Sequence, residues 1–389
     1  MAAVFLPDMQ RIYLDNAATT PLAPEVLEAM LPFMREHYGN PSSIHAFGRK
    51  TRAAIENARR TVAGLLNCSP GEIIFTSCGT EADNMALRCA VRDLGVQHII
   101  SSPIEHHAVE YTVQNIADAG LAKAHFVRLD EQGHVDMAHL EELLKAHPKA
   151  LVSLMHANNE IGTRVDLHAV GTLCRQYGAL FHSDTVQTMG HYAFDLSTLP
   201  VDFLVASAHK FHGPKGVGFL YMRAGTGLKP MLQGGSQERN MRGGTENIYG
   251  IVGLAKALEL ACRELEEHQQ HVSGLKQRMK KALIAAIPGV RFNGDPSEDA
   301  LYTVLSVNFP EDGKSEMLLY NLDIEGIAAS GGSACSSGSN TGSHVLAAIT
   351  PDREGGNIRF SFSRYNTEAE VDYTVEALKR IFAVEKVEA

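Results

Sequence analysis

A lysine at the end of a very apolar segment is the first candidate for covalent chemistry. Lys210 closes the sequence Ser207-Ala208-His209-Lys210, which directly follows the apolar run DFLVA. Partial burial at a strand end lowers the pKa of an amine and leaves it free to form a Schiff base with an aldehyde. Lys215 is the competing lysine, but it lies in a Gly/Pro turn where we expect solvent exposure. That turn is not a P-loop, because it lacks the GxxxxGK[ST] pattern.

An aspartate and a glutamine follow a second apolar segment, ALFHS. Asp184 comes directly after this segment, and Gln187 lies three residues later. An acid at the end of a buried strand needs a cationic partner. The protonated nitrogen of a pyridine ring would be such a partner, and the pairing would make the ring an electron sink. The alternative is that Asp184 only caps the following turn, and the residues alone leave both interpretations open.

A histidine follows the segment HIISS. His106 could lie flat on an aromatic cofactor and could also transfer protons near neutral pH. The alternative is an ordinary surface or core histidine. A metal site formed by His106 and His107 together is not expected, because neighbouring helical positions point apart.

Two Gly-Thr steps open predicted helices and are candidates for phosphate binding. Gly79 and Thr80 follow the segment EIIFTS, and Gly244 and Thr245 precede a later helical stretch. Glycine lets the backbone approach a ligand closely, and a helix N-terminus presents free N–H groups to an anion. Such steps are also common as plain helix caps.

One of the six cysteines has an unusual context. Cys335 lies in a long run of glycine and serine, whose composition is typical of a mobile loop. An exposed thiol is poorly placed for packing and well placed as a nucleophile. The alternative is a flexible loop that contains a cysteine by chance. The other cysteines show no CxxC pairing, which favours free thiols in a reducing compartment.

An arginine interrupts a later apolar strand. Arg359 lies in the segment NIRFSFS, and a buried guanidinium needs an anion. A substrate carboxylate would be a bidentate partner, whereas a structural salt bridge is the alternative.

The elements that must position these residues alternate between short apolar strands and helical patterns. From about 72 to 222, seven β-rich segments are separated by segments with helical periodicity. The nearly continuous apolar character of the strands predicts burial on both faces, as in an α/β protein with a mostly parallel sheet. Ligands of such sheets bind beyond the carboxyl ends of the strands, where the candidates lie.

The chain changes character after a long helical stretch from Glu246 to Ile287. The segments YTVLSVNF, IEGIAAS and NIRFSFS predict strands of a smaller α+β unit, closed by the helix TEAEVDYTVEALKRIF. We therefore predict a large cofactor-binding domain at 16–258. Residues 1–15 and 259–389 are predicted to form a small domain that carries the cysteine loop.

Composition excludes several function classes. The net charge of -10 argues against nucleic acid as the main partner. We find no signal peptide and no apolar run long enough for a membrane span, so we expect a cytoplasmic protein.

The order of these motifs along the chain resembles the cysteine desulfurases of the NifS/IscS type, within the class V aminotransferase-like enzymes that use pyridoxal 5'-phosphate (PLP). The resemblance covers nearly the whole chain, up to Arg364. It also rests on four further motifs, which are YLDNAATT at 13–20, GNPSS at 39–43 with HAFG at 45–48, HANNEIG at 156–162 and the SGGSACSSG loop. It implies the fold type I of PLP-dependent transferases, with a mixed, mostly parallel sheet in the large domain.

The resemblance also implies roles for the candidate residues. Lys210 would be the Schiff-base lysine and proton carrier, Asp184 the pyridinium partner, and Gln187 a hydrogen-bond donor to the ring hydroxyl. His106 would stack on the ring and act as an acid or base. The implied phosphate ligands are Gly79, Thr80, Ser207 and His209, with Thr245 reaching the phosphate of the other subunit of a homodimer. Asn159 and Arg359 would bind the substrate carboxylate, and no metal is implied.

The implied activity is conversion of L-cysteine to L-alanine, with transfer of sulfur to a persulfide on Cys335. A sulfur-acceptor protein, for example an iron–sulfur scaffold, would then take the sulfur. The alternatives are a selenocysteine lyase-like activity, a class V aminotransferase that needs no loop thiol, and a non-catalytic sulfur carrier that keeps the fold. The last would leave Lys210, Asp184, His106 and Cys335 idle together.

Overall fold

The computed structural model of the protein describes residues 11–311, 317–331 and 342–382. The described residues form two compact units. The larger unit comprises Thr20–Asn158 and Thr163–Leu265. The smaller unit comprises the described residues of Met1–Thr19, Asn159–Gly162 and Glu266–Ala389.

The strands and helices have the following bounds. The strands are β1 (Ile12–Tyr13), β2 (Ile73–Thr76), β3 (His98–Ser101), β4 (Lys123–Phe126), β5 (Leu151–Ser153), β6 (Leu180–Asp184), β7 (Phe203–Ser207), β8 (Gly218–Met222), β9 (Arg291–Phe292), β10 (Val304–Phe309), β11 (Ile327–Ala328) and β12 (Gly356–Ser361). The helices are α1 (Pro24–Arg35), α2 (Ala46–Leu65), α3 (Gly79–Leu94), α4 (His107–Asp118), α5 (Met137–Ala146), α6 (Leu167–Gln176), α7 (Gln237–Asn240), α8 (Ile248–Arg263), α9 (Leu265–Ala286), α10 (Leu318–Ile324), α11 (His344–Ile349) and α12 (Glu368–Phe382).

A seven-stranded sheet forms the centre of the larger unit. Its strand order is β2-β8-β7-β6-β5-β3-β4. The strands from β7 to β4 run parallel to one another, and β8 is antiparallel to both of its neighbours. This mixed, mostly parallel sheet confirms the predicted fold class. Each residue of β7 is buried, as expected for a strand that is covered on both faces.

Helices α3 and α4 cover one face of this sheet. Ala82 and Val109 pack there against Ile74, Ile99 and Val205 in one continuous apolar cluster. Full burial of a valine or isoleucine side chain stabilises the fold by about 1.5–3 kcal/mol.

Helices α1, α2, α5, α6 and α8 contribute to the apolar cluster on the opposite face. Ile55, Leu140 and Leu254 lie in the same cluster as Phe75 and Val152. Because successive strand side chains point to opposite faces, Ile74 and Phe75 belong to different clusters. The sheet thus lies between two helical layers. Because β7, β6, β5, β3 and β4 are parallel, their carboxyl ends lie on the same side of the sheet.

The smaller unit contains two short sheets. Strands β12, β10 and β9 form an antiparallel sheet in that order, and β1 pairs with β11 in parallel. The predicted strand IEGIAAS is wrong in its first half. Helix α10 runs to Ile324, and the chain turns at Gly326 with φ of 79° before β11 begins. The predicted helical stretch 246–287 is divided into α8 and α9 at Glu264.

No helix among the described residues combines the length and the apolar composition that a membrane span requires.

A buried ion pair fixes the turn that contains α7. Glu238 and Arg239 have positive φ angles of 44° and 57°, which side chains rarely adopt. Arg59, which is buried, donates two 2.8 Å hydrogen bonds to the Glu238 carboxylate. The backbone N–H of Phe75 donates a third, at 2.9 Å.

We therefore expect Glu238→Ala to lower the free energy of unfolding by about 3–5 kcal/mol, because the buried guanidinium loses two charge-assisted hydrogen bonds. It keeps one carboxylate contact, with Glu56 Oε1 at 3.1 Å. Denaturant unfolding measures this loss. Arg128→Ala is the matched control, since it breaks an ion pair with Asp136 that is largely exposed and should cost less than about 1 kcal/mol. Equal losses of unfolding free energy in the two variants would contradict a special stabilising role of the buried Arg59–Glu238 pair.

Candidate active site

Lys210 lies at the end of a 3-10 turn, Ala208–Lys210, that directly follows β7. The turn is held by Thr20, whose N–H and hydroxyl both donate to the His209 carbonyl, at 2.8 and 2.9 Å. The Thr20 hydroxyl also accepts a 2.8 Å hydrogen bond from the N–H of His212. His191 Nε2 lies 3.2 Å from the Lys210 carbonyl oxygen. The backbone of the lysine is thus fixed on both sides, while its side chain is half-buried.

Asp184 ends β6, the strand next to β7. It pairs with Val205 in the parallel register, so Asp184 and Lys210 follow the carboxyl ends of adjacent strands. The carboxylate is buried and accepts a 2.8 Å hydrogen bond from the N–H of Val186. Burial raises its pKa to about 6, and the positive charge of Lys210 opposes that shift. Gln187 is buried in the same segment.

A second buried acid lies behind Asp184, and sequence reasoning missed it. Asp83 is on the buried face of α3, and its Oδ1 lies 3.3 Å from His182 Nε2 without hydrogen-bond alignment. Burial, and then the charges of Asp184 and Glu105, raise the pKa of Asp83 well above its usual value. Burial lowers the pKa of His182 to about 3. Burial therefore favours the neutral form of both side chains.

The start of α3 and the end of β7 form a cradle of the kind that binds phosphate. A Cβ on Gly79 would come within 2.7 Å of Val186 Cγ2, so only glycine fits there. The first turn of this 16-residue helix is not capped by the side chain of Cys78, which leaves its N–H groups for another acceptor. Thr80 follows Gly79 and is exposed.

Two polar side chains complete this cradle. The buried Ser207 Oγ has no hydrogen-bond partner among the residues that the structure describes. Burial, followed by the charges of Lys210 and Lys215, lowers the pKa of His209 to about 4. A neutral His209 can still donate one hydrogen bond to a phosphate oxygen. An orphaned hydroxyl beside a glycine-lined helix N-terminus fits a phosphate group.

His106 is the N-cap of α4. Its Nδ1 accepts a 3.1 Å hydrogen bond from the N–H of Ala108. In the neutral ring this assigns the proton to Nε2, which makes Nε2 the donor. His107 Nδ1 lies instead 2.9 Å from Glu110 Oε2, so the two neighbouring histidines have different partners.

Glu105, the residue before His106, is another buried acid that the sequence did not single out. Its Oε1 accepts 3.0 Å hydrogen bonds from the N–H of Met155 and the hydroxyl of Ser102. Burial raises its pKa from 4.5 to about 8, although these two hydrogen bonds oppose the shift. The signal in the sequence was an acid four residues after the end of β3.

Glu105 should make stability depend on pH. The folded protein keeps the Glu105 proton up to about pH 8, whereas the unfolded chain releases it above about pH 4.5. The stabilisation that comes from the protonated Glu105 is complete at low pH and is lost as pH rises. It should amount to a few kcal/mol. Glu105→Gln mimics the protonated acid, so its stability relative to the native protein should increase between about pH 5 and pH 8. Unfolding curves at several pH values test this, and two parallel pH profiles would contradict it.

Thr245 lies in the second predicted phosphate-binding step. It is exposed and follows Gly244, which has a positive φ of 102°. The preceding segment is anchored by Arg242, which donates two hydrogen bonds to the Glu81 carboxylate at 2.8 and 3.1 Å. Thr245 is therefore presented at the surface of the larger unit.

The two candidate substrate ligands lie in the smaller unit. Arg359 is buried, and its Nη2 pairs with Asp15 Oδ1 at 2.9 Å. Its Nη1 donates a 2.8 Å hydrogen bond to the Asn159 carbonyl oxygen. Its Nε has no hydrogen-bond partner among the described residues. Arg359 thus has a structural anion and still carries one buried donor for a ligand.

The twelve candidates therefore fall into four groups, one of which is Thr245 alone at the surface of the larger unit. The larger unit brings eight of them to the carboxyl ends of β2, β3, β6 and β7, and these are Gly79, Thr80, His106, Asp184, Gln187, Ser207, His209 and Lys210. The smaller unit holds Asn159 and Arg359 together. Cys335 lies outside the described residues.

Known proteins resemble this chain over nearly its whole length. The family model Aminotransferase class-V matches residues 12–374. The cysteine desulfurase IscS of Dictyoglomus turgidum is 44% identical over 376 residues, which is 96% of this chain and 94% of that protein. A solved NifS-like protein is 40% identical with a TM-score of 0.88, covering 96% of this chain and 99% of that one. The solved structure of SspA in complex with cysteine is 30% identical with a TM-score of 0.78, covering 92% and 100%. The chain therefore belongs to the class V aminotransferase family, and within it to the cysteine desulfurases of the NifS/IscS type.

Proposed function

We propose that this protein is a PLP-dependent cysteine desulfurase that converts L-cysteine to L-alanine and transfers the sulfur to Cys335. One observation carries the proposal. An amine, a buried carboxylate and a phosphate-type cradle lie at the carboxyl ends of parallel strands of one sheet. Lys210 and Ser207 are at the end of β7, Asp184 is at the end of β6, and Gly79 follows β2. Relatives at more than 40% identity named cysteine desulfurase support it.

The residues present fit PLP. Ser207 Oγ, His209 and the N–H groups at Gly79 and Thr80 would hold its phosphate. Asp184 would pair with the ring nitrogen, Gln187 would bind the ring hydroxyl, and the Lys210 amine would bond the aldehyde carbon. When bound, the cofactor supplies a cationic ring that withdraws electrons from the substrate Cα.

The chain's own groups then have distinct tasks. Lys210 Nζ takes the proton from the substrate Cα and returns it later, which requires a neutral amine. The Asp184 carboxylate would stabilise positive charge on the ring. Arg359 and Asn159 would hold the substrate carboxylate. His106 would cover the ring and donate or accept a proton through Nε2.

The thiolate of Cys335 would attack the sulfur of the substrate. An S–S bond forms while the Cβ–S bond breaks, and the bonding electrons of the latter stay on the carbon skeleton. That carbon takes a proton, and the skeleton leaves as alanine. The neutral thiol is a poor nucleophile, so the step requires the thiolate.

Further parts of the proposal concern assembly and partners. Exposed Thr245 would reach the phosphate in a second subunit, which makes the enzyme a homodimer. The persulfide would pass to an acceptor protein, for example in iron–sulfur cluster assembly, and the protein would act in the cytoplasm. The rival activities, selenocysteine lyase and aminotransferase, are not favoured by the names of the similar proteins.

The proposal is tested by incubating the PLP-loaded enzyme with L-cysteine and measuring alanine and the mass of each cysteine-containing peptide. We expect alanine and a gain of one sulfur atom on the Cys335 peptide. Cys335→Ala should lower alanine formation by at least about a hundredfold, because the nucleophile is lost. Cys262→Ala is the control, since burial raises the pKa of this half-buried thiol and keeps it unreactive.

Undiminished turnover in Cys335→Ala would overturn the sulfur-transfer mechanism. If alanine formed only when pyruvate was added as the amino-group acceptor, the activity would be that of an aminotransferase.

A further inference from the structure

Three histidines from three separate elements meet at the edge of the large sheet. His98 is the first residue of β3, His125 lies in the edge strand β4, and His147 caps the C-terminus of α5. In the parallel register His98 pairs with Lys123, so His125 lies two residues along and on the same face. All three rings are half-buried.

The ring nitrogens of this histidine cluster converge. One nitrogen from each ring lies within 4.8 Å of the other two. His98 Nδ1 and His125 Nε2 are only 3.0 Å apart. A tetrahedral Zn²⁺ with Zn–N bonds of about 2.0–2.1 Å places its nitrogen ligands roughly 3.3 Å apart. Shifts of the order of 1 Å, together with ring rotation, would therefore bring the three nitrogens into ligand positions.

A plain aromatic stack is the competing interpretation. The His147 ring stacks on His98 and on His125, with centroid separations of 4.3 and 4.0 Å. Stacking accounts for the ring planes, and an N–H···N hydrogen bond between His98 and His125 accounts for their 3.0 Å separation. Neither requires a nitrogen of His147 to lie within 4.8 Å of the other two, as it does. Hydrophobic aromatic side chains would stack equally well on a half-buried edge without a polar atom to satisfy.

The donor atoms of the cluster are of the kind that transition metals bind. Neutral imidazole is the ligand form of histidine. Three nitrogen donors without a carboxylate suit borderline transition metals and not the oxygen-preferring Mg²⁺ or Ca²⁺.

We propose that His98, His125 and His147 bind one divalent transition-metal ion, such as Zn²⁺, Ni²⁺ or Cu²⁺, with solvent completing the coordination. The site lies at the start of β3, whereas His106 follows the carboxyl end of the same strand. A bound ion would tie the edge strand β4 and the end of α5 to β3. Its role would thus be stabilisation of this edge of the sheet, and it is independent of the desulfurase chemistry.

The test uses the full-length, PLP-loaded protein without an affinity tag, stripped of metal with a chelator and dialysed. Calorimetric titration with Zn²⁺ at pH 7.5 should give one site per chain that Mg²⁺ does not occupy. Saturating Zn²⁺ should raise the melting temperature by roughly 5 °C. Co²⁺ should give visible d–d bands without a thiolate charge-transfer band, because the ligands are nitrogen atoms.

Variants locate the site. His125→Gln and His147→Gln should each lose the titrated site and the thermal shift, whereas His168→Gln, an exposed histidine on α6 of the same unit, should keep both. If a variant fails to fold, Zn²⁺-dependent protection of His98, His125 and His147 from acylation in the native protein decides the question by peptide mass. Unchanged Zn²⁺ binding in the two variants, a thiolate band with Co²⁺, or no protection of these histidines would overturn the proposal.

Discussion

Replacing Lys210 by alanine is expected to lower alanine formation from L-cysteine by about a thousandfold or more. The variant loses both the amine that would bond the cofactor and the base that moves the α-proton, and general acid–base catalysis alone is worth about 10²–10⁴-fold. The turn that carries Lys210 is held by hydrogen bonds of Thr20 to backbone atoms, so we expect the fold to survive the substitution. The measurement is the rate of alanine release at saturating PLP and L-cysteine.

Lys215→Ala is the matched control for this variant. Lys215 lies five residues further along and is exposed, so its removal should change the rate by less than about twofold. Loss of activity in Lys215→Ala with retention in Lys210→Ala would reverse the assignment of the two lysines.

Asp184→Asn should have the next largest effect, a loss of about a hundredfold or more in kcat. The amide oxygen of asparagine can still accept the hydrogen bond from the N–H of Val186, so the local backbone is preserved. The negative charge is lost, and removing one partner of a buried ion pair costs about 3 kcal/mol or more, which corresponds to roughly a hundredfold in rate. The kcat of the PLP-saturated variant measures this effect.

Asp202→Asn provides the comparison. Asp202 precedes β7 in the same unit, accepts a 2.8 Å hydrogen bond from the N–H of Phe181, and also has a pKa raised by burial. Asp202 lies at the opposite end of β7 from Lys210, so the kcat of the Asp202→Asn enzyme should stay near that of the native enzyme. Equal kcat values for Asp184→Asn and the native enzyme would show that the carboxylate charge is not used.

The apolar strands could be predicted from the sequence because each is buried on both faces. Such segments read as continuous apolar runs, and β6 and β7 are confirmed where the runs ALFHSD and DFLVAS lie. Element ends were harder to predict. The apolar run IEGIAAS spans the end of α10 and the start of β11, because the turn between them is set by Gly326 and not by a change in hydrophobicity.

The positions of the site residues could be predicted where a motif directly follows a strand. Lys210 and Asp184 are such cases, and parallel pairing of β6 and β7 brings their strand ends side by side. Asp83 was missed because its helix gives an ordinary amphipathic pattern, and only its contact with His182 of β6 reveals its burial. The cluster of His98, His125 and His147 depends on strand register and a helix end, neither of which local sequence encodes.

The central claim is that Lys210 carries the cofactor. The most direct measurement is reduction of the PLP-loaded protein with borohydride, followed by digestion and mass mapping of the labelled peptide. We expect a single pyridoxyl-phosphate label on the peptide that contains Lys210. A label on Lys215 or another lysine, or no label after saturation with PLP, would contradict it.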